Sequence, residues 1–204
     1  MGPKGHMGQS EIDRYYAAEF AEHDAVQAAT RQALAGEFRR LAEAAVACIK
    51  AGGKILFFGN GGSASDAQHL ATELTVRYIK NRKAIAAVAL TTDTSALTAI
   101  GNDLGFDLLF SRQIEAIGKP GDLVVAITTS GVSPNVLKAL EVAKSMGLVC
   151  AALTGKGGGD VVRRKLAEIC LVVPSATTAR IQEMHITLGQ MMCGVLEREL
   201  GLAG

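Results

Sequence analysis

Five short apolar runs recur along the chain, and segments of helical character separate them. The runs hold very few charged side chains, a pattern typical of strands that are buried on both faces of a parallel sheet. Parallel strands need right-handed crossover connections, so helices should cover both faces of the sheet. We therefore predict a three-layer, doubly wound α/β domain built on a five-stranded parallel sheet. The predicted strands span residues 54–58, 85–91, 122–128, 148–154 and 169–173.

A helical region precedes the first strand. Residues 10–51 show helical periodicity in two segments, and a pair of glycines ends the second. In the first segment Ile12, Tyr16 and Phe20 recur every fourth residue and form an apolar stripe. Because this helix has little sheet to cover, we expect it to pack against another subunit. The other predicted helices span residues 63–79, 107–117, 134–146, 159–166 and 179–200.

Composition narrows the class of protein. The 204 residues suffice for one domain, which we assign to 10–204, and residues 1–9 resemble an expression-vector remnant or a disordered leader. A net charge of +1 gives no reason to expect nucleic acid or a membrane as partner, and no apolar run approaches the roughly 20 residues of a membrane helix. The four cysteines show no C-x-x-C spacing, which favours reduced core thiols in a cytoplasmic protein.

A glycine-rich turn follows the first predicted strand and leads into a helix. The turn reads Gly-Asn-Gly-Gly-Ser over residues 59–63, and Ser63 is a favourable helix N-cap. Glycines let a backbone turn sharply and approach a ligand closely. A helix N-terminus presents free amides and the positive end of its dipole, so this junction is suited to binding a phosphate.

Two residues of that helix form a candidate acid/base pair. His69 and Glu73 are four residues apart, a spacing that puts them on one helix face. They would then lie one or two turns below the phosphate cradle. The alternative is a solvated helix face that happens to carry a histidine.

A second candidate phosphate loop follows the third strand. It contains Ser130, Ser133 and a glycine, and Pro134 opens the helix that comes next. Hydroxyls together with helix N-terminal amides suit a phosphate monoester, although an ordinary Ser/Thr capping loop has the same composition. The chain has no G-x-x-x-x-G-K-[ST] motif, and the turn at 59–62 does not match G-x-G-x-x-G, so neither a nucleotide P-loop nor a dinucleotide site is indicated.

Four motifs together resemble the sugar-isomerase (SIS) domain. They are Gly59-Asn60-Gly61-Gly62-Ser63, Gly101-Asn102-Asp103, Thr128-Thr129-Ser130-Gly131-Val132-Ser133 and Arg180-Ile181-Gln182-Glu183. Within that family the chain is most similar to the phosphoheptose isomerases, which interconvert sedoheptulose 7-phosphate and D-glycero-D-manno-heptose 7-phosphate. The resemblance covers roughly residues 10–200. It implies a flavodoxin-like SIS fold and a role in heptose synthesis for bacterial surface lipopolysaccharide.

The resemblance also implies a site. It assigns the catalytic base to Glu73 and a zinc ion to His69, Glu73, Gln182 and Gln190. It implies homotetramers with active sites between subunits, to which the N-terminal helices contribute. The substrate-binding positions that it implies are Asn60, Gly61, Gly62, Ser63, Glu73, Asn102, Asp103, Thr128, Thr129, Ser130, Ser133 and Gln182.

One position departs from the family pattern. The second acid/base of the family, a histidine eight residues beyond Gln182, falls on Gln190. An amide does not relay a proton at neutral pH, although its carbonyl oxygen can still reach a metal. His185 is a poor substitute, because at about 100° per residue it lies to the other side of Gln182. We therefore expect His185 to be structural.

Three functions stay open at this point. The first is the phosphoheptose isomerase, slowed by the loss of one acid/base group. The second is a catalytically weak or inactive SIS-domain regulator that binds a partner protein, similar to the regulator that associates with the DnaA initiator; in that group both the catalytic Glu and the His are replaced, whereas Glu73 is present here. The third is an isomerase of another sugar phosphate.

Overall fold

The computed structural model describes residues 8–201. Most of the predicted leader, residues 1–7, lies outside the described residues, and the first helix begins at Gln9. The helices are α1 Gln9–Ala33, α2 Ala35–Lys50, α3 Gly62–Thr75, α4 Thr94–Asp103, α5 Ser111–Ile117, α6 Pro134–Ser145, α7 Gly159–Arg163 and α8 Thr178–Glu199. The strands are β1 Ile55–Gly59, β2 Ala87–Ala89, β3 Leu123–Thr128, β4 Val149–Thr154 and β5 Ile169–Val172.

The five strands form one parallel sheet in the order β2-β1-β3-β4-β5. In register, Phe57 of β1 lies opposite Ala89 on one side and Val125 on the other. This is the flavodoxin-like strand order, whose direction reverses between β1 and β3. The predicted five-stranded, doubly wound α/β fold is confirmed, and ligands of such folds bind beyond the carboxyl ends of the strands at this switch point.

Successive residues of a strand pack alternately into two separate hydrophobic cores, one on each face of the sheet. Ile55 and Phe57 join a core formed with α2, α3 and α8, whereas Leu56 and Phe58 join a core formed with α4, α5, α6 and α7. All four side chains are fully buried. The sheet is thus apolar on both faces because helices cover both, which explains why its strands are continuous apolar runs. None of the helices within residues 8–201 is long and apolar enough to cross a bilayer.

The structure corrects several predicted boundaries near the second strand. Helix α4 was not predicted, because its residues are mostly weak helix formers; the Asp93 side chain caps it by accepting a hydrogen bond from the Ala96 amide at 3.0 Å. The predicted helix 107–117 begins only at Ser111, after a 3-10 turn at Phe106–Leu108. The predicted strand 85–91 shortens to three residues at the sheet edge.

Helix α3 differs from its prediction at both ends. It stops at Thr75 rather than at residue 79, because the amides of Tyr78 and Ile79 bond to a distant glutamate, Glu197. It starts at Gly62, with Gly61 and not Ser63 in the N-cap position. Gly61 has φ +58°, a backbone conformation that favours glycine, and this geometry moves the helix start upstream of the serine.

Candidate active site

The glycine turn and the Ser/Thr loop meet at the switch point of the sheet. Asn60, in the turn after β1, and Asn135, in the first turn of α6, exchange two side-chain hydrogen bonds of 2.9 Å. Asn135 is buried, with 1% of its surface exposed. The amide pair fixes the N-termini of α3 and α6 relative to each other. Because each amide retains further hydrogen-bonding capacity, Asn60 stays available to a ligand while paired.

The loop after β3 is braced from within and by its neighbour. The Thr128 hydroxyl is buried and accepts a hydrogen bond from the Gly131 amide at 3.2 Å. The Gly131 carbonyl accepts from the amides of Asp160 and Val161 at the start of α7. Gly131 has φ +67°, and a Cβ there would overlap the Gly158 backbone, so this crossing requires glycine.

This bracing leaves a polar cradle above α6. Thr129, Ser130 and Ser133 are half-buried, and Ser133 makes no side-chain capping bond to the helix although it occupies the N-cap position. Pro134 is the first helical residue, as predicted. The loop contains no cationic side chain, so hydroxyls, amides and the helix dipole are the groups that this segment offers to an anion.

His69 and Glu73 form a direct pair on the last two turns of α3. His69 Nε2 lies 2.9 Å from Glu73 Oε1. The Glu73 side chain is 18% exposed and that of His69 is 49% exposed, so the carboxylate is the more sheltered member. Glu73 also lies close to α8: burial raises the pKa of the Cys193 thiol to about 12, and the Glu73 charge adds to that shift. A sheltered carboxylate oriented by a histidine is suited to proton transfer.

Helix α8 runs alongside α3 in parallel. At the start of both helices, the Gln182 amide lies where a side chain at Gly62 would be. Further along, a Cβ at Gly189 would overlap Leu70, and a Cβ at Gly194 would touch the Tyr78 ring at 3.2 Å. Gln190 is half-buried and lies between these two contacts, level with the last turns of α3. Positions 69 and 73 therefore lie on one helix and positions 182 and 190 on its neighbour, and that all four face one helix–helix groove stays a prediction.

His185 is separate from this groove. Its side chain is fully buried, and Nε2 lies 3.2 Å from the carbonyl of Thr154 at the end of β4. Burial lowers the pKa of the imidazole to about 4, so it is neutral at physiological pH. The buried position and the bond to a backbone carbonyl agree with the structural role predicted for His185.

Asn102 and Asp103 lie in the last turn of α4 and not in a loop. Both are exposed, and Asn102 Nδ2 donates to Asp103 Oδ1 at 2.7 Å. Their described hydrogen bond joins them to each other and not to the other predicted site residues. Contact of these two side chains with a substrate stays a prediction.

Three neighbours of the site were not predicted as functional. Asn135 pairs with Asn60, as described above. Asp66 lies one turn before His69; burial raises the pKa of its carboxyl, and the nearby His69 opposes that shift. The third is Arg82, whose guanidinium donates to the backbone carbonyl of Glu73 at 2.7 Å. Asn135 could have been predicted from the sequence, because it directly follows Pro134 at the end of the candidate phosphate loop. The contact of Arg82 with Glu73 could not, because no sequence spacing indicates it.

The donor set is unusual for a metal. Within residues 8–201 no group of three or more His, Cys, Asp or Glu side chains is arranged to hold a metal ion. His69 and Glu73 provide two good zinc donors, and Gln182 and Gln190 would provide only neutral amide oxygens.

Comparison with known proteins agrees with this geometry. A family model of the SIS domain matches residues 18–155. The phosphoheptose isomerase of Paramagnetospirillum magneticum is 59% identical over 179 residues, which cover 88% of this chain and 92% of the relative. A phosphoheptose isomerase of Campylobacter jejuni is 53% identical over the same length, with 88% and 95% coverage.

Solved structures give the same result. The structure of the phosphoheptose isomerase from Neisseria gonorrhoeae superposes with a TM-score of 0.86 at 44% identity, and the match covers 92% of this chain and 99% of that one. The phosphoheptose isomerase from Francisella tularensis superposes with a TM-score of 0.84 at 34% identity, with 94% and 100% coverage.

Proposed function

The chain belongs to the SIS-domain family and, within it, to the phosphoheptose isomerases, and from that premise we propose that it interconverts sedoheptulose 7-phosphate and D-glycero-D-manno-heptose 7-phosphate. The observation that carries this proposal is the placement of the His69–Glu73 pair on the helix whose N-terminus borders the phosphate cradle. One end of such a site holds an anion, and the other end holds a base.

The phosphate is anchored by the loop after β3. The hydroxyls of Thr129, Ser130 and Ser133 and the N-terminal amides of α6 face the anion, and the Asn60–Asn135 pair holds this cradle against the glycine turn. The turn borders the sugar, with Gly61, Gly62 and Ser63 on the approach to α3. A bound phosphate fixes the distance from C7 to the reacting carbons, which turns proton transfer into an intramolecular step.

Glu73 carries the proton between carbons. In the direction from ketose to aldose, the carboxylate removes a proton from C1 of the sugar and returns it to C2, and a proton passes from O1 to O2. The intermediate is an enediol or enediolate, so the two oxygens need stabilisation while the carbon is deprotonated. His69 orients the Glu73 carboxylate through the 2.9 Å contact.

A proton must also pass between O1 and O2 of the sugar. Because Gln190 replaces the histidine expected at that position, no acid or base of the protein is available there for this step. Loss of one such group typically costs about 10²–10⁴-fold in rate, so we expect a slow isomerase in which water carries this proton. Gln190 can still hydrogen-bond a substrate hydroxyl through its amide.

Zinc fits part of this donor set. His69 Nε2 and Glu73 Oε1 are at a hydrogen-bond distance of 2.9 Å, and as imidazole and carboxylate they are ligand types that zinc accepts. Gln182 and Gln190 would complete the set through their amide oxygens. When bound, zinc supplies Lewis acidity toward the substrate oxygens.

We further propose that the enzyme works as a homotetramer in the cytoplasm, where it supplies heptose for lipopolysaccharide precursors. Ile12, Tyr16 and Phe20 of α1 are each more than half exposed, and the Tyr16 and Phe20 ring centroids are 4.8 Å apart. Exposed apolar patches of this kind mark protein contacts. The exposure of His69 supports completion of the site by a neighbouring subunit.

Proton exchange followed by NMR tests the proposed function. The protein is incubated with sedoheptulose 7-phosphate in D₂O, with zinc and, separately, with chelator. Deuterium on the carbon next to the carbonyl, together with aldoheptose phosphate, is the expected result, and loss of both signals with chelator assigns the oxygen chemistry to the metal. Binding without exchange under either condition overturns the isomerase and favours a regulator. The same incubation is repeated with a shorter sugar phosphate. Deuterium incorporation into that sugar and not into sedoheptulose 7-phosphate assigns a different substrate.

A further inference from the structure

The C-terminal end of α3 is held by a side chain from outside the helix. The last carbonyls of a helix lack intrahelical partners, and α3 has no basic residue in its last turn. Arg82, in the loop that follows, donates to two of these carbonyls: Nη2 to that of Glu73 and Nη1 to that of Leu74, both at 2.7 Å. The Leu74 carbonyl also accepts from the Ile85 amide at 3.0 Å, whereas the Glu73 carbonyl is bonded to Arg82. The guanidinium also places a positive charge at the negative end of the helix dipole.

Arg82 is in turn held by α8. Its Nε donates to Glu197 Oε1 at 2.8 Å, and the same carboxylate accepts from the amides of Tyr78 and Ile79 at 2.9 and 3.2 Å. Burial alone would raise the pKa of Glu197, but the two amides and the guanidinium together lower it below its ordinary value. Glu197 is therefore ionised at neutral pH, and one carboxylate ties α8 to the loop that carries Arg82.

The ion pair is almost completely buried, with side-chain exposures of 1% for Arg82 and 2% for Glu197. Buried ion pairs are often no more stabilising than apolar residues of the same volume, because desolvation of both charges opposes their attraction. What this pair provides is geometry: a planar guanidinium fixes two successive carbonyls and a carboxylate in one arrangement. One of those carbonyls belongs to Glu73.

We propose that Arg82 and Glu197 are positioning residues that hold the last turn of α3 so that the Glu73 carboxylate faces the reacting carbons. This inference rests on the proposed role of Glu73 as the base. Neither side chain touches the reacting atoms, and both act through the Glu73 backbone. A displacement of about 1 Å in a catalytic group can cost about 10²-fold in rate, so loosening this turn lowers kcat while leaving the phosphate cradle at α6 intact.

The test compares two substitutions that each exchange one salt-bridged cation for the other type, at the buried Arg82 and at the partly buried Lys54. Arg82→Lys keeps the charge beside Glu197 but removes the planar fork that reaches both carbonyls. Lys54→Arg is the matched control, because Lys54 forms a 2.5 Å ion pair with the buried Asp122 at the amino ends of β1 and β3, the edge of the sheet opposite the site. Thermal unfolding sets an assay temperature at which both variants are folded.

We expect Arg82→Lys to lower kcat about tenfold or more, with KM changed less than about threefold, and Lys54→Arg to leave both constants unchanged. Amide hydrogen exchange at residues 76–79 should accelerate in Arg82→Lys, and exchange in the α6 N-terminus should not. Equal kcat in Arg82→Lys and the parent, or a parallel change in KM, overturns the inference. If Arg82→Lys does not fold, Glu197→Gln is measured against the same expectation.

Glu73→Gln separates this inference from the proposed function. If Glu73→Gln loses turnover while Arg82→Lys keeps the kcat of the parent, Glu73 stays the base and the positioning role alone is wrong. If Glu73→Gln keeps turnover, the assignment of Glu73 as the base is wrong. The positioning role proposed for Arg82 and Glu197 is then wrong as well, because it depends on that assignment.

Discussion

In the proposed function, Glu73 is the residue on which the chemistry depends. It is the more buried member of the pair with His69, and the family resemblance implies that it is the catalytic base. Glutamine has nearly the same shape but accepts no proton at neutral pH. We therefore expect Glu73→Gln to lower turnover by at least about 10²-fold and to leave phosphate binding unchanged.

The measurement is deuterium incorporation from D₂O, combined with the dissociation constant of inorganic phosphate. Glu43→Gln, on the exposed side of α2, is the matched control for loss of one carboxylate. Unchanged incorporation in Glu73→Gln would remove Glu73 as the base.

Ser130 tests the phosphate cradle. A hydrogen bond to a charged group contributes about 1.5–3 kcal/mol, so Ser130→Ala should raise the dissociation constant of the sugar phosphate roughly 10- to 100-fold. Calorimetry in the Glu73→Gln background measures binding without turnover. Ser145→Ala, at the other end of α6, should bind like the parent, and an unchanged constant for Ser130→Ala would remove this hydroxyl from the phosphate site.

Gln190 tests the departure from the family pattern. An imidazole is both a stronger zinc donor than an amide and a group that transfers protons near neutral pH. Gln190→His should therefore tighten zinc at least about tenfold and raise turnover toward about 10²-fold above the parent. Competition with a chromophoric chelator measures the first effect. The control Gln32→His, on the exposed face of α1, should change neither the zinc affinity nor the turnover. Equal zinc affinity in the parent and Gln190→His would contradict the placement of position 190 at the zinc site.

At the scale of elements, local signals predicted most of the fold. Continuous apolar runs predicted all five strands because both faces of the sheet are covered. Pro134 marked the start of α6 to the residue. Some errors have local causes, such as the weak helix formers of α4 and the backbone of Gly61, and another comes from a contact between distant residues. Helix α3 ends early because Glu197, far along the chain, takes the amides of Tyr78 and Ile79.

The candidate site divides in the same way. The glycine turn, the Ser/Thr loop and the His69–Glu73 pair are local sequence features. The predicted strands were enough to place them all near the carboxyl edge of the sheet. The Asn60–Asn135 pair and the Arg82 contact with Glu73 join segments whose connection depends on the folded packing of α3, α6 and α8. Nothing in the spacing of these residues predicts such contacts.

His185 links α8 to β4 and makes that contact sensitive to pH. The native imidazole has a pKa of about 4, compared with about 6.5 in an unfolded chain. Between those values the unfolded state binds more protons, so the free energy of unfolding falls as pH falls through this window and is unaffected by His185 above it. From pH 7.5 to pH 5 this group should remove about 2 kcal/mol.

Urea unfolding at both pH values, at one protein concentration, measures that loss. His185→Gln, which can still bond the Thr154 carbonyl, should lose about 2 kcal/mol less than the parent over the same interval. An identical loss in the two proteins would mean that protonation of His185 does not contribute.

At the scale of the whole molecule, residues 8–201 of a single chain leave an apolar surface exposed on α1 and the helices that pack against it. The surface consists of the α1 stripe and a cavity of about 380 Å³ between α1, α2 and α8, whose lining includes Leu34, Phe38 and Met191. Arg180 joins α1 to α8 through Glu19, so a contact on this surface is connected to the helix that carries Gln182 and Gln190. Assembly and site completion should therefore be coupled.

We expect light scattering of the parent to give four times the 21.3 kDa of the chain, and the double variant Tyr16→Glu/Phe20→Glu to dissociate, because charges do not pack into an apolar contact. Arg14→Glu places the same side chain on the opposite face of α1 and should stay assembled. Proton exchange should be lost with assembly in the double variant only. A monomeric parent contradicts the tetramer, and full exchange in a dissociated variant contradicts sites shared between subunits, because each chain would then hold a complete site of its own.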